Sequence, residues 1–202
     1  IGYALMGYYA NLTGAAGAPY APLYLYMRTV APGGAPDHGL YPPDALALAT
    51  AGGVDTQADY TQGTTGWQTP PTAAQIANAA NYKVAGWTTL WSGYNHGQGA
   101  AAQASIKQAL AAGSPVAIDF PVFPDFFNIR SSALYTTTSG ANQGGHMVAA
   151  YGYDSDGIWI RNSWGTGWGA AGDAHLSWAF VQADVWDAYT ITGLRTATKG
   201  AP

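Results

Sequence analysis

Gly144-Gly145-His146-Met147-Val148-Ala149-Ala150-Tyr151-Gly152-Tyr153, then Asn162-Ser163-Trp164-Gly165-Thr166-Gly167-Trp168-Gly169, is the stretch on which the fold turns. The first run is apolar, carries one histidine, and predicts a strand over 147–153. A second strand is expected over 158–161. The N-S-W-G-T-G-W-G run reads as a turn, its glycines free to take positive φ and its tryptophans able to pack on a core. Sixteen residues separate His146 from Asn162, and an antiparallel strand pair at that spacing can set the two side by side. A histidine on an apolar strand is most often a structural residue. Paired with an asparagine amide it also becomes a candidate base whose ring angle the amide fixes.

Bulk composition narrows what surrounds this pair. Hydrophobic residues make up 48% of the 202, so a real core is expected. Charged residues are only 9%, against about 25% in typical soluble domains. Net charge is −4 without any basic block, which argues against a nucleic-acid partner. No apolar run approaches the roughly 18 residues of a membrane span. The chain opens on Ile1 and reads as trimmed, which leaves a signal peptide open. With 11 acidic and 7 basic side chains, few ion pairs can form. Little change of stability between about pH 7 and pH 3 is therefore expected, in keeping with an extracellular or cell-envelope setting. Nothing in the sequence asks for a metal or a cofactor.

Along the chain, 1–11 predicts a buried helix closed by the glycines that follow Thr13, and 19–30 a second apolar segment. A Gly/Pro loop over 31–39 precedes a short helix over 45–51, opened by Pro43-Asp44 and stopped by Gly52-Gly53. After a loop over 61–71 and a short Ala-rich helix, a strand is expected over 82–90 and a polar loop over 91–99. An amphipathic helix over 102–112 carries Ile106 and Leu110 at i,i+4 spacing. Further strands are expected over 115–120 and 188–191. Helices first and strands later make an α+β arrangement of two lobes, helical over 1–81 and β-rich over 82–202. His38, His96 and His175 fall in loop or turn contexts and read as structural.

Read together, the His146 and Asn162 motifs resemble the second half of a papain-like (cathepsin-type) cysteine peptidase. Other stretches are similar to that family in the same order: Ala21-Pro22-Leu23-Tyr24-Leu25-Tyr26, Tyr41-Pro42 with Asp44-Ala45-Leu46, Ile106 to Leu110, and Ser114 to Ile118. Ile1-Gly2-Tyr3-Ala4 looks like the residues that directly follow the family's catalytic cysteine. The resemblance implies a two-lobed fold with a cleft between a helical and a β-sheet lobe. It also implies a thiolate nucleophile, His146 as its base, Asn162 orienting the imidazole, and Trp164 shielding their hydrogen bond. Gly39, Leu40, Tyr41 and Pro42 match the substrate loop. Tyr41, Pro42, Val116 and Met147, beside Gly145, would wall the pocket for the second side chain upstream of the scissile bond, with an apolar guest expected. An N-terminal propeptide or other completing segment is an expected partner, besides the peptide or protein substrate.

Two departures stand out. There is no cysteine, so the nucleophile would have to lie just before Ile1, and the family disulfide beside the glycine loop cannot form, Asp37 standing at one of its places. Three readings follow. One is an endopeptidase whose thiol lies outside these residues, and another a pseudoprotease that binds peptide without cleaving it. The third is a carbohydrate- or surface-binding module, suggested by 8 Trp and 14 Tyr in a chain poor in charge.

Overall fold

The computed structural model describes residues 1–30, 39–61, 69–92, 97–136 and 138–195. Asp37, His38 and His96, with most of the three expected loops, lie outside the described residues. Two compact units emerge, Ile1–Trp87 with Ile191–Pro202, and Thr88–Thr190. The C-terminal segment from Ile191 groups with the first unit.

In the first unit a π-helical turn (Gly2–Met6) runs into helix α1 (Gly7–Thr13). Gly14 ends it with φ 68°, a left-handed conformation that favours glycine. Helices α2 (Pro22–Thr29) and α3 (Pro42–Ala51) each place proline in the first turn, where its missing N–H removes no helical bond. That is why α3 opens at Pro42 rather than at residue 45. Helix α4 (Ala73–Ala79) starts from a capping box in which Thr72 and Gln75 exchange bonds. Leu5, Met6, Tyr20, Tyr24, Leu46 and Tyr60 are fully buried here. Gly53, at φ 86°, lies so close to Ala79 O that a Cβ would sit 1.9 Å from it. The short strands β1 (Lys83–Val84) and β9 (Leu194–Arg195) pair antiparallel and complete the unit.

The strand expected over 82–90 is thus broken. Lys83–Val84 belongs to the two-stranded sheet, whereas β2 (Trp87–Ser92) joins a seven-stranded one. Its other members are β3 (Val116–Pro121), β4 (Leu134–Tyr135), β5 (Gly145–Tyr153), β6 (Gly157–Arg161), β7 (Asp173–Ser177) and β8 (Asp187–Ile191), in the order β2-β8-β3-β5-β6-β7-β4. Among the strand pairs of described register, only β4–β7 is parallel. Residues opposite one another in a strand pair share a sheet face. Val116, Ile118 and Phe120 alternate to one face with Val148, Ala150, Ile158, Ile160 and Leu176. Against them pack Ala102, Ile106 and Ala109 of α5 (Ala100–Ala111) and Phe180 and Val181 of α6 (Trp178–Asp184). Truncating a side chain as buried as Ile118 to alanine costs about 2–5 kcal/mol.

Candidate active site

β5 and β6 run antiparallel, and β6 ends at Arg161, so Asn162 leaves the sheet beside the start of β5. There His146 Nε2 meets Asn162 Oδ1 at 2.9 Å. The same oxygen accepts from the Ser163 backbone N–H at 2.7 Å, which fixes the amide with its oxygen toward the ring. An amide oxygen can only accept, so Nε2 carries the hydrogen and Nδ1 is left with the lone pair of a base. Burial holds the imidazole below its ordinary pKa, and the bond that it donates to Asn162 opposes that shift. The neutral, base-competent form is the one this setting favours. Asn162 itself is buried, and its Nδ2 finds no partner among the described residues. Such an orphaned group costs about 1–3 kcal/mol, so a rigid turn must hold it.

The turn does so through glycine and tryptophan. Gly165 and Gly169 take φ 78° and 61°, and a Cβ on Gly169 would come within 2.1 Å of Asp173 O. Trp168 is buried and donates its indole N–H to Phe126 O at 3.0 Å. Trp164 lies against the His146 ring, centroids 4.7 Å apart and planes 25° off parallel. Phe127 stacks on Trp164 at 5.1 Å and 5°, and Phe126 meets it edge-on at 5.6 Å. Each such pair adds about 0.5–1.5 kcal/mol beyond its buried area. The His146–Asn162 bond therefore lies beside an aromatic stack.

His146, Asn162 and Trp164 are brought together as the spacing and turn suggested. Gly145 and Met147 flank His146 on β5, Gly145 exposed and Met147 half-buried. Gly39, Leu40, Tyr41 and Pro42 belong to the first unit. Tyr41 is 52% exposed and precedes α3, Leu40 is half-buried, and Pro42 is buried as the first residue of that helix. Val116 needs correction: it is fully buried, pairs with Ala150 and points into the core, on the face opposite Met147. The residue that faces Met147 is Asp119. His175 needs correction too, since it is buried on β7 rather than set in a turn.

Phe126 and Phe127, which touch Trp164, and Asp119, which faces Met147, are neighbours of the pair that the sequence reading missed. The one charge in the apolar run Val116-Ala117-Ile118-Asp119-Phe120 was the available signal for Asp119. Among the described residues no group of three or more His, Cys, Asp or Glu is placed to hold a metal ion. No described helix is long and apolar enough to cross a membrane.

A sequence model described as "Papain family cysteine protease" matches residues 36–181, well over half of the chain. Cathepsin B-like CP3 of Giardia intestinalis is 44% identical over 73 residues, 34% of this chain and 24% of that protein. A cathepsin L-like proteinase of Fasciola hepatica is 34% identical over 94 residues, 45% of this chain and 26% of that protein. The chain thus spans about a quarter of the length of these curated relatives. Among solved structures, xylellain, a cysteine protease of Xylella fastidiosa, superposes with a TM-score of 0.70 at 21% identity, over 87% of this chain and 70% of that one. The bromelain protease of Ananas comosus gives 0.69 at 18%, over 94% and 84%. The ragweed pollen allergen Amb a 11, a cysteine protease in its proform, gives 0.68 at 21%, over 98% and 58%. At these identities the structural likeness carries the α+β fold of those proteins and no more.

Proposed function

Because this chain belongs to the papain family of cysteine proteases, we propose that it is part of a cysteine endopeptidase whose thiol lies outside these 202 residues. The observation that carries the reading is the 2.9 Å bond from His146 Nε2 to Asn162 Oδ1, with Trp164 stacked on the ring. A thiol beside Nδ1 passes its proton to the imidazole, and the thiolate attacks the peptide carbonyl carbon. The imidazolium then returns that proton to the leaving amine. Water, deprotonated by the same nitrogen, hydrolyses the resulting thioester and frees the acid product. Asn162 contributes orientation without charge, so the ring can cycle between its two protonation states.

Gly39, Leu40, Tyr41 and Pro42, with Gly145 and Met147, are proposed to bind the peptide. An exposed Tyr41 and an exposed Gly145 support this, being open to a ligand. The proform of Amb a 11 supports a propeptide partner, and an extracellular or cell-envelope setting is proposed with it. The division of labour between a helical part over 1–81 and a β-rich part over 82–202 belongs to the same reading. A second reading is favoured by the lack of any cysteine in the sequence: a family member that binds peptide and does not cut it.

Extending the protein upstream to its native residues decides between them. The endopeptidase reading expects hydrolysis of peptides that a thiol-directed alkylating agent abolishes. An inert extended protein that still binds peptide would leave only the second reading.

A further inference from the structure

The chain holds only 7 lysines and arginines, and two of them stand opposite one another. Lys83 on β1 and Arg195 on β9 are register partners in the two-stranded sheet. Residues so opposed share a sheet face with Cβ atoms about 4.5–5.5 Å apart, and like charges there repel. Among the described residues neither side chain forms an ion pair or a hydrogen bond. Lys83 is half-buried and Arg195 exposed.

Arg195 also lines a cavity of about 240 Å³ within the same unit. Tyr20, Tyr82 and Leu194 give it apolar walls, Asn81 and Arg195 give it polar groups, and no aspartate lines it. Its shape is held from two sides. The fully buried Tyr20 donates its hydroxyl to Ala16 O at 3.0 Å, and its ring lies 5.7 Å from that of Tyr82 at 53°. Gly17, at φ 97°, runs so close to Tyr82 that a Cβ there would overlap the ring.

An aromatic cavity with two cations and no acid beside it is complementary to an anion carried on an aromatic body. The tyrosine rings offer tilted and edge-on contacts to a third ring. The guanidinium can grip a carboxylate through two parallel N–H donors, and a negative charge near Lys83 offsets its repulsion from Arg195. At about 240 Å³ the space lies below the roughly 300–1,000 Å³ of drug-sized sites, so the body is one ring on a short linker. We propose that this cavity binds a carboxylate borne on a single aromatic ring, with Arg195 and Lys83 as its charge partners and Tyr20 and Tyr82 as its walls. His146 and Asn162 belong to the other unit, and the inference stands apart from the peptidase reading.

Calorimetric titration of the protein extended to its native residues, at pH 7, compares 3-phenylpropionate with 3-phenylpropionamide. The acid should bind about 10- to 100-fold more tightly, the range of one charge-assisted contact. That ratio should shrink as salt is raised, because the cations are screened. Arg195→Gln alters an exposed side chain, so Tm should hold while the ratio falls close to unity. Lys83→Gln should lower the ratio in part. Diglycyl-phenylalanine, with its free carboxyl end, tells the two sources of this chemistry apart: tighter binding than 3-phenylpropionate assigns the site to chain ends, weaker binding to free acids. His146→Ala should leave these affinities within about twofold, since the cavity and the dyad share no residue. Equal affinities for acid and amide, an acid preference that survives Arg195→Gln, or binding lost in His146→Ala overturns the proposal. So does the absence of acid binding at about 10 mM, weaker than any useful affinity.

Discussion

His146 and His175 stand on the same seven-stranded sheet, each against a tryptophan ring. The first lies 4.7 Å and 25° from Trp164, the second 4.3 Å and 8° from Trp159. Both use Nε2 for a hydrogen bond, but to different partners. His146 meets the amide of Asn162 at 2.9 Å, and His175 the carboxylate of Asp154 at 3.2 Å. The carboxylate is a charged acceptor, whereas the amide holds the ring without adding a charge. The half-buried His146 also opens β5 beside the exposed Gly144 and Gly145, while His175 is 8% exposed. Stacking on tryptophan therefore does not identify a base. The charge of the partner and the access to the ring do.

The largest expected effect separates the two histidines outright. In the protein extended to its native residues, His146→Ala should lower kcat by about 10³-fold or more, as removal of one member of a catalytic unit does. His175→Ala should leave kcat/KM within about threefold and act on stability instead, since it strips a buried ring from Trp159. Equal losses from both variants would erase the distinction drawn above.

Exchanging the partners sharpens it. Asn162→Asp gives His146 the kind of neighbour that His175 has. The imidazole pKa should rise, and the acid limb of the pH–rate profile should move to higher pH with it, because the charged ring is now favoured. Asn162→Ala should cut kcat by about 10- to 100-fold without raising that pKa, if orientation is the amide's contribution. An unmoved acid limb in the aspartate variant would mean that partner charge is not what distinguishes the two sites.

The aromatic stacks come next in size. Trp164 touches His146, Phe126, Phe127 and Trp168, and Trp164→Ala should cost about 2–4 kcal/mol together with a loss of activity. Trp159→Ala should destabilise by a similar or smaller amount, measured by urea unfolding, and spare the activity of the folded fraction. Wild-type activity in the Trp164 variant would remove shielding from the account.

Much of this contrast could be read from the sequence on one side and little on the other. The apolar alternation of β5 and β6, the sixteen-residue separation of His146 and Asn162, and the glycines that need positive φ are local signals, and local physics honours them. β7 and α6 escaped although the alternation in Asp173-Ala174-His175-Leu176-Ser177 is itself a strand signal, with Ala174 and Leu176 buried. The Ser177 side chain that accepts from Phe180 N was a capping signal left unread. Val116 was misplaced for a different reason. Which strand residue faces Met147 depends on register, and a three-residue error in register turns the core valine into a substitute for Asp119. Phe126 and Phe127 reach Trp164 only through tertiary packing, and no spacing rule connects them.

The smallest expected effect concerns the carboxylates and tests the second site alone. Asp154 is held below its ordinary pKa of 3.8, first by the backbone N–H of Asp156, then by those of Gly157, the Trp159 indole and His175. A carboxyl lowered on folding stabilises above its unfolded pKa, and that stability is lost as pH falls through the folded value. Asp119 has the opposite sign. Raised to about 6 on folding, it favours the folded state most below 3.8, and the benefit is lost as pH rises toward 6. The two act in adjacent windows with opposite sign, Asp119 between about 6 and 3.8 and Asp154 below 3.8. The variants should expose the terms separately. Asp154→Asn should lower Tm slightly at pH 7, where an amide oxygen replaces the charge facing His175, and the difference should close as pH falls through the lowered folded pKa. Asp119→Asn should gain on the parent as pH rises from 4 to 8, because it removes a charge that burial disfavours. If Asp154→Asn matches the parent at every pH, the charge of His175's partner contributes nothing even to stability, and the contrast between the two histidines reduces to access alone.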